Sequence, residues 1–147
     1  MIIQGLFINI PSGATVLVNI HNTTAVISGG NMTVNSLGAP SNFGAGANVL
    51  FNFKEATALN LNAFALLGSV LAPNATLTAT GGSINGQAII GGNVSMLDGF
   101  EFHNFEFTGN IPAALLPVSL IDFYRNTYKQ NHKTKLVNSA RNEYGLF

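Results

Sequence analysis

The 147-residue chain has no cysteine and no tryptophan. Without cysteine there is no disulfide framework, no thiolate metal site and no cysteine nucleophile. Charge is also scarce: Asp, Glu, Lys and Arg make up 8% of the chain, against about 25% in ordinary soluble domains. Yet 47% of the residues are hydrophobic, which is not the composition of a disordered chain. No apolar run reaches the ~18 residues of a membrane helix, so no membrane span is expected. MIIQGLFINIPSG at the start lacks the basic segment and long apolar stretch of a signal peptide. An export signal is expected to lie outside this chain, which reads as a fragment or a truncated product.

The few charges are unevenly placed. Residues 1–116 carry Lys54 against Glu55, Asp98, Glu101 and Glu106. Residues 117–147 carry Arg125, Lys129, Lys133, Lys135 and Arg141 against Asp122 and Glu143. Nucleic-acid binding calls for a denser basic stripe with stacking aromatics, so no nucleic acid is expected as a partner. Ile121, Tyr124 and Tyr128 stand at helical spacing, as do Leu136, Val137, Ala140 and Tyr144. They predict one or two amphipathic helices in a basic tail, with a boundary at 116/117.

What is present is glycine, small polar residues and repetition. GSVLAPNATLTATGGSINGQAIIGGNVSM, Gly68 to Met96, has no charged side chain, and within it VLAPNATL and IIGGNVSM match in type. With Asn74 and Asn93 as anchors, similar stretches recur around Gly13, Asn31 and Glu55, in steps of 18, 24, 19 and 19. Each anchor reads as a corner, where Gly or Asn tolerates left-handed backbone. A short alternating strand follows each corner. The alignment stacks Thr15, Thr33, Thr57, Thr76 and Ser95 in one column and Val16, Val34, Ala58, Leu77 and Met96 in the next. A coil this small buries its apolar face only against the next coil. The expected fold is therefore all-β: a right-handed parallel β-helix, or solenoid, of about five coils, followed by a short helical C-terminal tail. LGAPSNFGAGA, Leu37 to Ala47, reads as a coil insertion. The competing reading is an antiparallel sandwich with strands every 8–12 residues.

ANVLFNFKEATAL, LGSVLAPNATLT, GGSINGQAIIGGNV and EFHNFEFTGNIP follow one another along the chain. In this order they resemble the closing half of the choice-of-anchor A family domain, over roughly residues 5–112. The resemblance implies a bacterial-type cell-surface or extracellular module with an adhesive β-helix. The family supplies no catalytic residues to carry over. This chain departs from it in lacking the front half and a recognisable anchor after Pro112.

Candidate chemistry is sparse. GGSINGQAIIGG has no lysine after its glycines, so it is not a phosphate loop; corner glycines account for it. DGFEFHNFEF, Asp98 to Phe107, places Glu101 and His103 on one strand face and Phe100 and Phe102 on the other, with a bend at His103–Asn104. Glu101 with Glu106 or Asp98 is the only carboxylate pair that could serve a glycosidase. The competing reading is a closing rung with phenylalanines in the core. His21, His103 and His132 lack ligand spacing, and no metal or other cofactor is expected. Asn22, Asn31, Asn74 and Asn93 each head a formal glycosylation sequon, read here as corner chemistry. Thr76, Thr78 and Thr80 point to one face, as in an ice-binding solenoid.

The expected function is non-enzymatic adhesion or structure at a cell surface or outside the cell. The partner would be a protein or glycan ligand, held through Thr76, Thr78, Thr80, Glu101, His103 and Phe105. Gly13, Asn31, Asn74 and Asn93 are the expected corners. The alternative is self-association of open coil ends into a fibre or oligomer. Ice binding and a carbohydrate-active enzyme are the weaker alternatives.

Overall fold

The structure, a computed structural model, describes residues 1–111. The chain divides into Met1–Asn110 and Ile111–Phe147. The helices expected in the tail, and the boundary at 116/117, lie outside the described residues.

Short strands follow one another around five circuits. The first holds β1 (Ile2–Ile3), β2 (Leu6–Ile8) and β3 (Val16–Asn19). The second holds β4 (Thr24–Ser28), β5 (Met32–Val34), the small β6 (Leu37–Gly38) and β7 (Val49–Asn52). The third holds β8 (Ala58–Leu67) and β9 (Ser69–Ala72), and the fourth β10 (Thr76–Asn85) and β11 (Ala88–Ile90). The fifth holds β12 (Val94–Leu97) and β13 (Glu101–His103). Three sheets result: β1-β4-β8-β10-β12 with β13 also on β10, then β11-β9-β7-β3, then β2-β5-β6. Every pairing is parallel except β5 with β6. Parallel neighbours cannot be joined by a tight hairpin, so the chain completes a circuit between them. The architecture is all-β and β-helix-like, and the antiparallel sandwich is set aside.

The register differs from the expected step of 19. Leu77 faces Leu59 and Val94, steps of 18 and 17. Ile89 faces Leu71, a step of 18, where the sequence alignment put Val70. Thr33 lies in the third sheet and Thr15 just before the second, so the expected threonine column does not form. The physical reason is the period of two. A slip of one residue exchanges the faces of a strand, and the apolar columns decide the register while turn lengths vary. In the observed register Ala25, Leu59 and Leu77 are all fully buried. Burying such a leucine contributes about 1.5–3 kcal/mol.

The columns also reveal a corner. Ser28, Asn62, Thr80 and Leu97 are register partners. The residues after them are Gly29, Ala63, Gly81 and Asp98, all at positive φ: 63°, 48°, 59° and 50°. This stack of left-handed residues turns the chain from one side of the coil to the next, and lets β8 and β10 run on through the bend.

The insertion between β5 and β7 folds over the outside of the later coils through a 3-10 turn, Phe43–Gly46. A Cβ on Gly46 would lie 2.3 Å from the Leu67 carbonyl, so only glycine permits that contact. After His103 the chain turns at Asn104, where the Phe105 N–H donates to the His103 carbonyl at 3.0 Å. It then climbs back past earlier coils. The Thr108 N–H donates to the Ala47 carbonyl at 2.8 Å, and the Asn110 N–H to Thr15 Oγ1 at 2.8 Å. Residues 105–110 thus strap the fifth coil to the second and first.

Candidate functional site

The sequence grouped six residues as one candidate surface; the structure places them on two sides of the coil. Thr76, Thr78 and Thr80 are alternate residues of β10 and point outward from the first sheet, the first two exposed and Thr80 half-buried. Their register partners extend this face. Asn60 and Ser95 flank Thr78, and Asn62 and Leu97 flank Thr80. Neighbouring strands in such a sheet stand ~4.8 Å apart and like-facing residues along a strand ~6.7 Å apart. The face is therefore a regular array with hydroxyl and amide groups at Thr24, Ser28, Asn60, Asn62, Thr76, Thr78, Thr80 and Ser95, interrupted by Ile2, Val26, Ala58 and Leu97, and with no charged side chain in β4, β8, β10 or β12. A grid of this kind presents many weak donors and acceptors and no electrostatic steering.

Glu101, His103 and Phe105 lie beyond the corner, on the flank covered by the insertion. Asn85 of β10 is fully buried there. Its Nδ2 donates to the Leu66 carbonyl at 3.0 Å and to Ser83 Oγ at 2.9 Å. A carbonyl only accepts, so the amide orientation is fixed and Asn85 Oδ1 faces His103 Nδ1 at 2.6 Å. That ring nitrogen therefore carries the hydrogen, and Nε2 meets Glu101 Oε2 at 2.9 Å. Phe43 stands edge-on to the imidazole, with ring centroids 4.8 Å apart. Phe105 is half-buried and packs near Gly44 of the insertion. The hydroxyl of Ser83 is engaged by Asn85 and not by the imidazole. The chain of contacts pins β13 to β10 and the insertion to both. Among the described residues no group of three His, Asp or Glu stands close enough to hold a metal.

The four corner candidates occupy different turns. Gly13, at φ 75°, precedes β3. Asn31 precedes β5, after the left-handed pair Gly29–Gly30. Asn74 and Asn93 precede β10 and β12. Asn74 Nδ2 donates to the Lys54 carbonyl at 2.9 Å, and the Asn93 carbonyl accepts from the Leu77 N–H at 2.9 Å.

Residues 2–104 match the family described as "Putative Ice-binding-like adhesive domain". The chain belongs to this family. No curated protein and no solved structure matches it. The match covers all five coils and stops at the start of the strap, so what the family shares is the coiled body. Among the described residues no helix is long and apolar enough to cross a membrane.

Sequence reasoning did not find Asn60, Asn62 and Asn85. The first two alternate with Leu59 and Leu61, a visible strand signal, but their partnership with Thr78 and Thr80 needs the correct register. Asn85 is a site residue only through partners one coil away, the Leu66 carbonyl and His103 Nδ1, which the sequence does not place beside it.

Proposed function

We propose that this chain is a non-enzymatic adhesive module that acts at a cell surface or outside the cell. It would bind a glycan through the outward face of the first sheet. The observation that carries this reading is that face: a charge-free grid centred on Asn60, Asn62, Thr76, Thr78 and Thr80, in a chain of an adhesive-domain family. Hydroxyl and amide groups at regular spacing suit a polyhydroxylated ligand better than a charged one. Each contact is weak, since a net hydrogen bond contributes only about 0.5–1.5 kcal/mol, and avidity from many copies would supply the holding strength. The coils are read as right-handed, the hand of nearly all parallel crossovers. The resemblance to choice-of-anchor A domains supports the same surface role in bacteria. The engagement of Glu101 by His103, and of Ser83 by Asn85, supports a structural reading of the flank over a hydrolytic one.

The test is a polysaccharide array probed with the wild-type chain and with the double variant Asn60→Lys/Thr78→Lys. Both positions point outward, so the variant is expected to keep the wild-type circular dichroism. Binding to a subset of polysaccharides, lost in the variant, is the expected result. Binding that survives in the variant would remove the face from the account. Inhibition of ice recrystallisation by the wild type, with no polysaccharide retained, would replace the glycan by ice.

A further inference from the structure

Both ring nitrogens of His103 face hydrogen-bond acceptors. The Asn85 amide is oriented by the Leu66 carbonyl, which accepts from Nδ2 at 3.0 Å. Asn85 Oδ1 is therefore the atom turned to His103, and the Nδ1 that meets it at 2.6 Å donates. The other ring nitrogen, Nε2, meets Glu101 Oε2 at 2.9 Å. An ionised carboxylate only accepts, and a neutral imidazole carries a single N–H. If Asn85 takes that hydrogen, the Nε2 lone pair faces a carboxylate oxygen with no hydrogen between them. The contact is satisfied when one more proton is present. It then lies between Nε2 and Oε2, and His103 donates from both nitrogens as an imidazolium.

This pair sits where the last coil is fastened. The His103 carbonyl accepts from the Gly86 N–H and from the Phe105 N–H, each at 3.0 Å. The first bond continues the pairing of β13 with β10, in which His103 faces Asn85. The second begins the strap. The neighbouring elements meet the imidazole with uncharged groups: Asn85 from β10 and Phe43 from the insertion. Glu101, on β13 itself, forms an ion pair with it at 2.9 Å. Among the described residues Asp98, Glu106 and Lys54 form no ion pair with His103 or Glu101.

We propose that His103 and Glu101 form a proton-operated latch that fastens β13 and the base of the strap to β10. The proton comes from water and returns to it. With the proton bound, both nitrogens donate and the latch is closed. Without it, Nδ1 stays with Asn85, Nε2 repels Glu101, and β13 loses its side-chain fastening. The closed state binds one proton more than the open state. By linkage, its stability is therefore fullest in acid and falls as pH rises through the range in which imidazoles titrate, about pH 5–8. The latch makes no use of the polar face of the first sheet.

The test uses the full chain carrying His21→Gln and His132→Gln, which leaves His103 as its single histidine. The ring nitrogens of His103 are followed by NMR, and amide-exchange protection is measured at Gly86 and Phe105. Both are read at about pH 5.5 and at about pH 8.5, on either side of the imidazole range. Hydrogens on both ring nitrogens are expected at the lower pH, and on Nδ1 alone at the higher. Protection of the two amides, corrected for intrinsic exchange, is expected to fall by up to about fivefold between them, as suits a partly solvated ion pair. Glu101→Gln discriminates a latch from a merely structural contact. Its side-chain amide donates to the Nε2 lone pair of neutral imidazole, so the latch closes without a proton and protection no longer depends on pH. The proposal is overturned if Nε2 carries no hydrogen at the lower pH, or if protection is equal at the two pH values. It is equally overturned if Glu101→Gln keeps the pH dependence of its parent.

Discussion

At the scale of single residues, the corner column and the buried amide carry the most specific consequences. Ala63 holds a left-handed conformation that its column mates Gly29 and Gly81 adopt freely. A non-glycine residue there costs roughly 1–2 kcal/mol, partly offset by the larger entropy glycine loses on folding. Ala63→Gly is therefore expected to stabilise by up to about 1 kcal/mol, read as a slightly higher urea midpoint, and Gly81→Ala to destabilise by a similar amount. Asn85 has a different role. Replacing it with alanine leaves the Leu66 carbonyl and His103 Nδ1 without their partner, at a cost of about 1–3 kcal/mol. Urea unfolding measures that loss. Serine in place of Asn85 should recover little, because its side chain is too short to span both contacts. None of this was visible in the sequence. An asparagine in SINGQ looks like any other corner residue until its place between Leu66 and His103 is known.

At the scale of elements, the strands were legible and their pairing was not. Val49 to Phe53 and Val16 to Ile20 read as strands from their apolar runs, and β7 and β3 occupy those places. The stacked-coil architecture also followed from repetition. The register did not, because the eye aligns asparagines while the fold aligns buried columns. A circuit of 17 residues beside one of 18 means the turns absorb the difference. The columns themselves make a testable contrast. Leu77→Ala, in the interior of the stack, is expected to destabilise by about 2–5 kcal/mol. Val94→Ala, one coil further along the same column, loses only part of a half-exposed side chain and should cost under about 1 kcal/mol. Equal costs in denaturant melts would mean that the fifth coil is covered as fully as the third and fourth.

At the scale of the molecule, the described body is a stack held mainly by its own apolar columns and closed along one side by the strap and the insertion. The polar face and the exposure of Val94 and Phe102 are then consequences of one register. The outward positions of β8 and β10 coincide only if Asn60 stands beside Thr78, and among the described residues β12 and β13 end the apolar columns only if both pair with β10. The candidate surface was half legible for the same reason. The alternating threonines announced an outward face, whereas the asparagines that widen it come from a neighbouring coil. The most direct test is the pattern of interstrand nuclear Overhauser contacts in the labelled chain. Backbone protons of Thr78 are expected to meet those of Asn60 on one side and Ser95 on the other. Contacts of Thr78 with Leu59 and Leu97, the pairs of a 19-residue step, or an antiparallel pattern between β8 and β10, would contradict the account.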